Sequence, residues 1–196
     1  MCGIIAAASN RNVGKLLVQG LHKMEYRGYD SAGIALHQTD QIAHLRTLGK
    51  VKLLEEKMIA EKPKSKLGIA HTRWATHGEP SEENAHPHMS NERVYIVHNG
   101  IIENYLDLKN FLKKEGYSFS SQTDSELIAH LLEYFLNKGN NMLDSMYLTK
   151  EKLDGAYAIA AIDKEDDQNI IIARSKSPLL IGIGMDEFLA ASDPLA

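Results

Sequence analysis

Apolar and polar positions fall along this chain in short blocks, each readable as one element. Residues 2–8, Cys2-Gly3-Ile4-Ile5-Ala6-Ala7-Ala8, form an unbroken apolar run of strand length. Such a run predicts a strand buried on both faces. Over 12–24, Val13, Leu16, Leu17, Gly20, Leu21 and Met24 recur at helical spacing, which predicts a helix with one apolar face. Residues 25–31 are loop formers, and 32–37 with 42–48 predict a hairpin around 38–41. A charged surface helix over 51–61 is closed by Pro63. A short strand over 67–72 leads into the polar block His71-Thr72-Arg73-Trp74-Ala75-Thr76-His77-Gly78, then a loop with Pro80 and Pro87. Residues 94–98 predict a strand ending at Asn99-Gly100, a turn pair. A helix over 104–114 turns Tyr105, Leu108, Phe111 and Leu112 inward. Thr123 as N-cap and Glu126 three residues on are spaced as a capping box, opening a helix with Leu127, Ile128, Leu131, Leu132 and Phe135 on its face. A helix over 143–153 follows, then strands over 156–162, 170–173, 179–183 and 188–191.

The elements come in mixed blocks without strict alternation. The fold class expected is α+β, with largely antiparallel sheets. Many strands are apolar on both faces, so two stacked sheets with helices outside them would cover both.

Composition narrows the function. The 196 residues suit one domain, or two small ones, with 43% hydrophobic and 24% charged residues. Net charge is -4 and no block of five or six like charges occurs, which argues against a nucleic-acid surface or a polybasic membrane patch. No apolar stretch approaches the roughly 18 residues of a membrane span. Cys2 is the only cysteine, so no internal disulfide is available and a reducing, cytoplasmic setting is expected.

Cys2 has two readings. It is a small buried hydrophobe, or, once Met1 is removed, a nucleophile with its own base. A free α-amine has a pKa of about 7.7–8.0 and can take the thiol proton. Three polar clusters bear on the choice. Arg73 can clamp a carboxylate with parallel hydrogen bonds, or be an ordinary surface arginine. Trp74, the only tryptophan, reads by default as core packing. Asn99-Gly100 is a turn, or an oxyanion hole of one side-chain amide and one backbone N–H. Asp124 stabilises a helix dipole, or accepts a substrate ammonium. His71, His77, His86, His88 and His98 raise a metal site as a rival, but no metal-ligand spacing accompanies them and no cofactor is expected. Together a carboxylate clamp, an ammonium acceptor, a thiolate and an oxyanion hole suit an amino acid with a side-chain amide, glutamine or asparagine.

At these residues the chain resembles the class II, N-terminal-nucleophile glutamine amidotransferase domains of glutamine–fructose-6-phosphate aminotransferases. The matching stretches are residues 1–4, 26–33, 71–88, 98–104 and 123–126. The resemblance implies a four-layer αββα sandwich of the N-terminal-nucleophile hydrolase type. It implies that Cys2 attacks the amide of L-glutamine, that Asn99 and Gly100 form the oxyanion hole, and that Arg73 and Asp124 hold the α-carboxylate and α-ammonium. Thr76, His77 and Gly78 would line the pocket, Trp74 would gate ammonia, and Arg27 with Tyr29 would close a loop over it. It further implies that residues 1–196 are the glutaminase domain of a longer homodimeric enzyme. The sugar-isomerising half, which acts on fructose 6-phosphate, would be missing. Ala6 stands where many members have glycine. A non-catalytic glutamine sensor built on the same pocket is the alternative.

Overall fold

The computed structural model describes residues 2–74 and 78–196; Met1 and residues 75–77 lie outside the described set. Among the described residues, ten strands and five α-helices alternate in blocks. The first half contains β1 (Gly3–Ser9), α1 (Gly14–Met24), β2 (Ser31–His37), β3 (Ile42–Leu48), α2 (Val51–Glu61) and β4 (Leu67–Arg73). Then come β5 (His88–Ser90), β6 (Val94–Ile102), α3 (Tyr105–Lys114), α4 (Glu126–Leu136) and α5 (Met142–Lys152). The chain finishes with β7 (Gly155–Asp163), β8 (Ile171–Ser175), β9 (Leu180–Gly184) and β10 (Glu187–Ala191).

The strands make one six-stranded sheet, ordered β3-β2-β4-β1-β10-β9, and one four-stranded sheet, β5-β6-β7-β8. Every strand pair in both sheets is antiparallel. Three apolar layers hold the stack together. Between the sheets lie Ile4, Ala6, Leu67 and Ile69 from the first and Tyr95, Val97, Ala158, Ala160 and Ile162 from the second. The outer face of the first sheet, with Ile5, Ala7, Ile34, Leu36 and Ala70, packs on Leu17, Leu21 and Met24 of α1 and Val51 and Leu54 of α2. The outer face of the second, with Val94, Ile96, Ile102, Ile159 and Ala161, packs on α3, α4 and α5. Residues 4 and 5 thus belong to different cores, which is why β1 is apolar on both faces from Ile4 to Ala8. The architecture is the expected αββα sandwich.

Two local readings are corrected. β6 does not end before a turn at Asn99-Gly100 but runs through both to Ile102, paired throughout with β7. Gly100 has φ +131°, and a Cβ there would lie 1.9 Å from the Ala156 carbonyl oxygen. The glycine serves close approach within a ladder, not a reversal. The capping box also does not form. α4 begins at Glu126, with Ser125 in the cap position and no side-chain cap bond. Thr123 Oγ1 is taken by His88 Nε2 at 3.0 Å and by the Ser125 N–H at 3.3 Å. The Glu126 carboxylate instead accepts from the backbone N–H groups of Ser120 (2.9 Å) and Ser121 (2.7 Å) and from both hydroxyls. The polar turn before the helix and His88 thus take the groups that a capping box would use. The short β5 had no legible signal in three residues.

Candidate active site

Alternation along the strands sets up the site. Ile4 and Ala6 on β1, Leu67 and Ile69 on β4, and Tyr95 and Val97 on β6 all face the space between the sheets. Two residues further on each strand places Cys2, His71 and then Arg73, and Asn99 on that same inner face, at one end of the sandwich. One step beyond the Gly3–Thr72 pair of the β1–β4 ladder puts Cys2 beside Arg73.

Contacts at Cys2 follow. The Trp74 backbone N–H donates to Cys2 Sγ at 3.3 Å, and the thiol can donate to the Trp74 carbonyl at 3.6 Å. Burial pushes the Cys2 thiol above its ordinary pKa, while the Trp74 N–H and the nearby Arg73 charge pull it back. The resting group is therefore a neutral thiol that needs a base. Asn99 Nδ2 donates to the Cys2 carbonyl at 3.2 Å, so the asparagine of one sheet reaches the cysteine of the other. Gly100 follows it on β6.

Arg73 is buried, and its guanidinium donates to the Gly78 carbonyl at 3.1 Å and the Glu79 carbonyl at 3.5 Å. It also faces Asp30 Oδ1 at 3.6 Å. The surface-arginine reading is thus set aside. Asp124 is buried too. Its Oδ2 accepts the Ile102 N–H at 2.8 Å, which ties the entry of α4 to the end of β6. Trp74 is 52% exposed, so it is not a core residue. Its ring lies against Gly28, where a Cβ would come within 2.1 Å of it.

Arg27 takes part in a latch. It pairs with Asp193 at 2.6 Å, and the Tyr26 hydroxyl donates to the same carboxylate at 2.6 Å. These bonds, the Tyr26 one foremost, hold Asp193 below the usual carboxylate range. Cys2, Arg73, Trp74 and Asn99 are thus in mutual contact or adjacent, with Gly78 and Gly100 one bond away. Asp124 sits against Ile102, three residues beyond Asn99 on β6, and Arg27 is fastened to the C-terminal segment. The expected pocket residues Thr76 and His77 lie outside the described residues. Sequence reasoning missed the Trp74 main-chain N–H, Asp30, Asp193 and the pairing of His71 with Asn99. Of these, His71 had a signal, its alternation with Ile69 and Arg73.

The histidines are a buried group. His71 and His86 rings lie 4.1 Å apart and His86 and His88 4.5 Å apart. Burial pushes His71 and His88 down to about 3 and His98 to about 4, and lowers His86 well below its ordinary value. They are neutral at physiological pH. Among the described residues no group of three His, Cys, Asp or Glu side chains is placed to hold a metal ion.

A family model of the glutamine amidotransferase domain matches residues 71–196. The chain belongs to the glutamine amidotransferase domain family. This amidotransferase domain is 52% identical over its whole length to the glutamine–fructose-6-phosphate aminotransferase (isomerizing) of Haemophilus ducreyi, covering 32% of that protein. It is 50% identical to the enzyme of the same name from Vibrio cholerae, again covering 32%. The chain thus spans about a third of the length of these relatives. Among solved structures, it is similar to the glutamine phosphoribosylpyrophosphate amidotransferase of B. subtilis complexed with ADP and GMP. The TM-score is 0.83 at 27% identity, covering 97% of this chain and 42% of that one. A structure described as the allosteric regulatory enzyme of purine biosynthesis matches with a TM-score of 0.84 at 28% identity, with the same coverage. The fold is that of the N-terminal-nucleophile amidotransferases. Among the described residues no helix is long and apolar enough to cross a membrane.

Proposed function

We propose that this domain hydrolyses the side-chain amide of L-glutamine through a thioester on Cys2. The observation that carries the reading is the meeting of Cys2 with Asn99 across the two sheets, at 3.2 Å. Removal of Met1 leaves Cys2 as the terminal residue with a free α-amine. As Sγ attacks the amide carbon, the thiol proton passes to that amine. The oxygen gains negative charge, which the Asn99 amide and the Gly100 N–H stabilise. The intermediate collapses, the C–N bond breaks, and the ammonium proton goes to the departing ammonia. Water then cleaves the thioester, releasing glutamate and restoring the thiol. Arg73 holds the α-carboxylate and Asp124 the α-ammonium. Gly78 lines the pocket, and Trp74, with the loop carrying Arg27 beneath it, gates the ammonia.

The relatives' name extends the reading. We assign to the two thirds of those proteins outside the match the chemistry on fructose 6-phosphate, and to this domain the supply of ammonia. A homodimer and a cytoplasmic setting belong to the same proposal, the latter supported by the single, unpaired cysteine.

The test uses protein shown by intact mass to lack Met1. It is expected to release ammonia from glutamine, and Cys2→Ala to release none while melting at the wild-type temperature. Protein retaining Met1 is expected to be inactive. Calorimetric binding of glutamine with no turnover by the Met1-free protein would overturn the hydrolase reading in favour of a sensor. So would an active Cys2→Ala.

A further inference from the structure

We propose that His71 is a positioning residue, which turns the Asn99 amide so that its NH2 group faces Cys2. The inference rests on the glutamine-hydrolysis reading and assigns a part to a residue that reading does not use.

The argument runs through donors and acceptors. The Cys2 carbonyl can only accept, so the group of Asn99 lying 3.2 Å from it must be Nδ2. Asn99 Oδ1 then points the other way and needs a donor. It meets His71 Nε2 at 2.9 Å. His71 is 0% exposed, and burial keeps it neutral, so the ring carries one proton. That proton must be on Nε2. Consistently, His71 Nδ1 is buried with no hydrogen-bond partner among the described residues. Turning the amide over would set Oδ1 against the Cys2 carbonyl and Nδ2 against an N–H. Both contacts would be repulsive in a buried place, so one orientation is selected. The selected one leaves the second hydrogen of Nδ2 for an oxygen gaining charge on a carbon bonded to Cys2 Sγ.

The ring itself is held. β4 lies between β1 and β2, with Ile4 and Gly33 opposite His71. The His86 ring packs on it at 4.1 Å. His86 can come so close because Gly33 has no side chain: a Cβ there would be 2.1 Å from the His86 carbonyl oxygen. His71 and the His86 ring behind it, unexplained by a metal or by the glutamine contacts, thus support the oxyanion side of the site.

His71→Phe keeps the ring and removes the N–H; His71→Gln restores a donor at the Nε2 position. For Met1-free protein, His71→Phe is expected to lower kcat for ammonia release by about 10- to 100-fold. This is a part of the 10²–10³ lost with an oxyanion donor. KM and the rate of Cys2 alkylation by iodoacetamide, which needs no oxyanion donor, should stay within about twofold. His71→Gln should recover most of kcat. A folded His71→Phe with wild-type kcat, beside an inactive Cys2→Ala, would overturn the positioning role and leave the hydrolase reading standing. Wild-type protein that releases no ammonia would overturn the hydrolase reading instead. Long-range proton–nitrogen spectra of the histidine rings test the wild type directly, whether or not the variants fold. An Nε2–H tautomer for His71 is expected, and an Nδ1–H tautomer would overturn the proposal.

Discussion

At the scale of single residues, the site depends on what each backbone position permits. Gly100 is the clearest case, because two independent constraints meet there. Its φ of +131° is strained for any residue with a side chain, and the Ala156 carbonyl occupies the place of a Cβ. Gly100→Ala is expected to destabilise the fold by about 3 kcal/mol, read from the denaturation midpoint. Ammonia release should fall further than the unfolded fraction accounts for, because Asn99 is displaced with its neighbour. Cys2 shows the opposite dependence on surroundings. The residue is named by the sequence, but its thiol is raised by burial and drawn back by the Trp74 N–H and by Arg73, which the fold supplies.

At the scale of elements, the start of α4 departs most from its local signal. Glu126 reaches back to residues 120 and 121 and closes a polar turn before the helix. Burial favours the neutral acid, but the His130 ring 3.7 Å away and the hydrogen bonds from Ser120 and Ser121 outweigh it and hold the Glu126 carboxyl below its ordinary range. A carboxylate with a depressed folded pKa gives stability that is present above its unfolded pKa and is lost as pH falls through the folded one. The window here begins at about pH 4.5 and extends to lower pH. Glu126→Gln is expected to cost about 2 kcal/mol at pH 7. It should also flatten the decline of stability below pH 4.5 in an acid titration followed by circular dichroism. An equal acid slope in wild type and variant would remove this account. The helix faces themselves were legible: Leu127, Ile128, Leu131, Leu132 and Phe135 are all buried, as their spacing requires.

At the scale of the whole molecule, both ends of the chain meet at the site. Ser192 Oγ accepts the Ile4 N–H at 2.9 Å, and Asp193 holds Arg27 and Tyr26. The last strand and the first loop are thereby fastened beside the nucleophile's strand. Asp193→Ala leaves the Arg27 charge without this partner in a mostly buried place. It is expected to lower stability by about 2 kcal/mol, a fall in Tm of about 5 °C by calorimetry. An unchanged Tm would show that the latch adds nothing to the fold.

The sequence by itself determined the elements, because periodicity records which faces are buried. The two-sided apolar strands required two sheets between helix layers, and residues 2, 73, 99, 100 and 124 were readable as chemistry-bearing types. What it could not decide was partnership. Asn99 meets Cys2 across 97 residues of chain, His71 meets Asn99 across 28, and Asp193 meets Tyr26 across 167. A hydrogen bond needs its two ends within about 3 Å; the stacking of one sheet on the other brings Asn99 to Cys2 and His71, and the pairing of β10 with β1 carries Asp193 toward Tyr26. An Asn-Gly pair that favours a turn became part of a strand paired with β7, and a spaced Thr and Glu that favour a cap took other partners, His88 for Thr123 and the Ser121 N–H for Glu126.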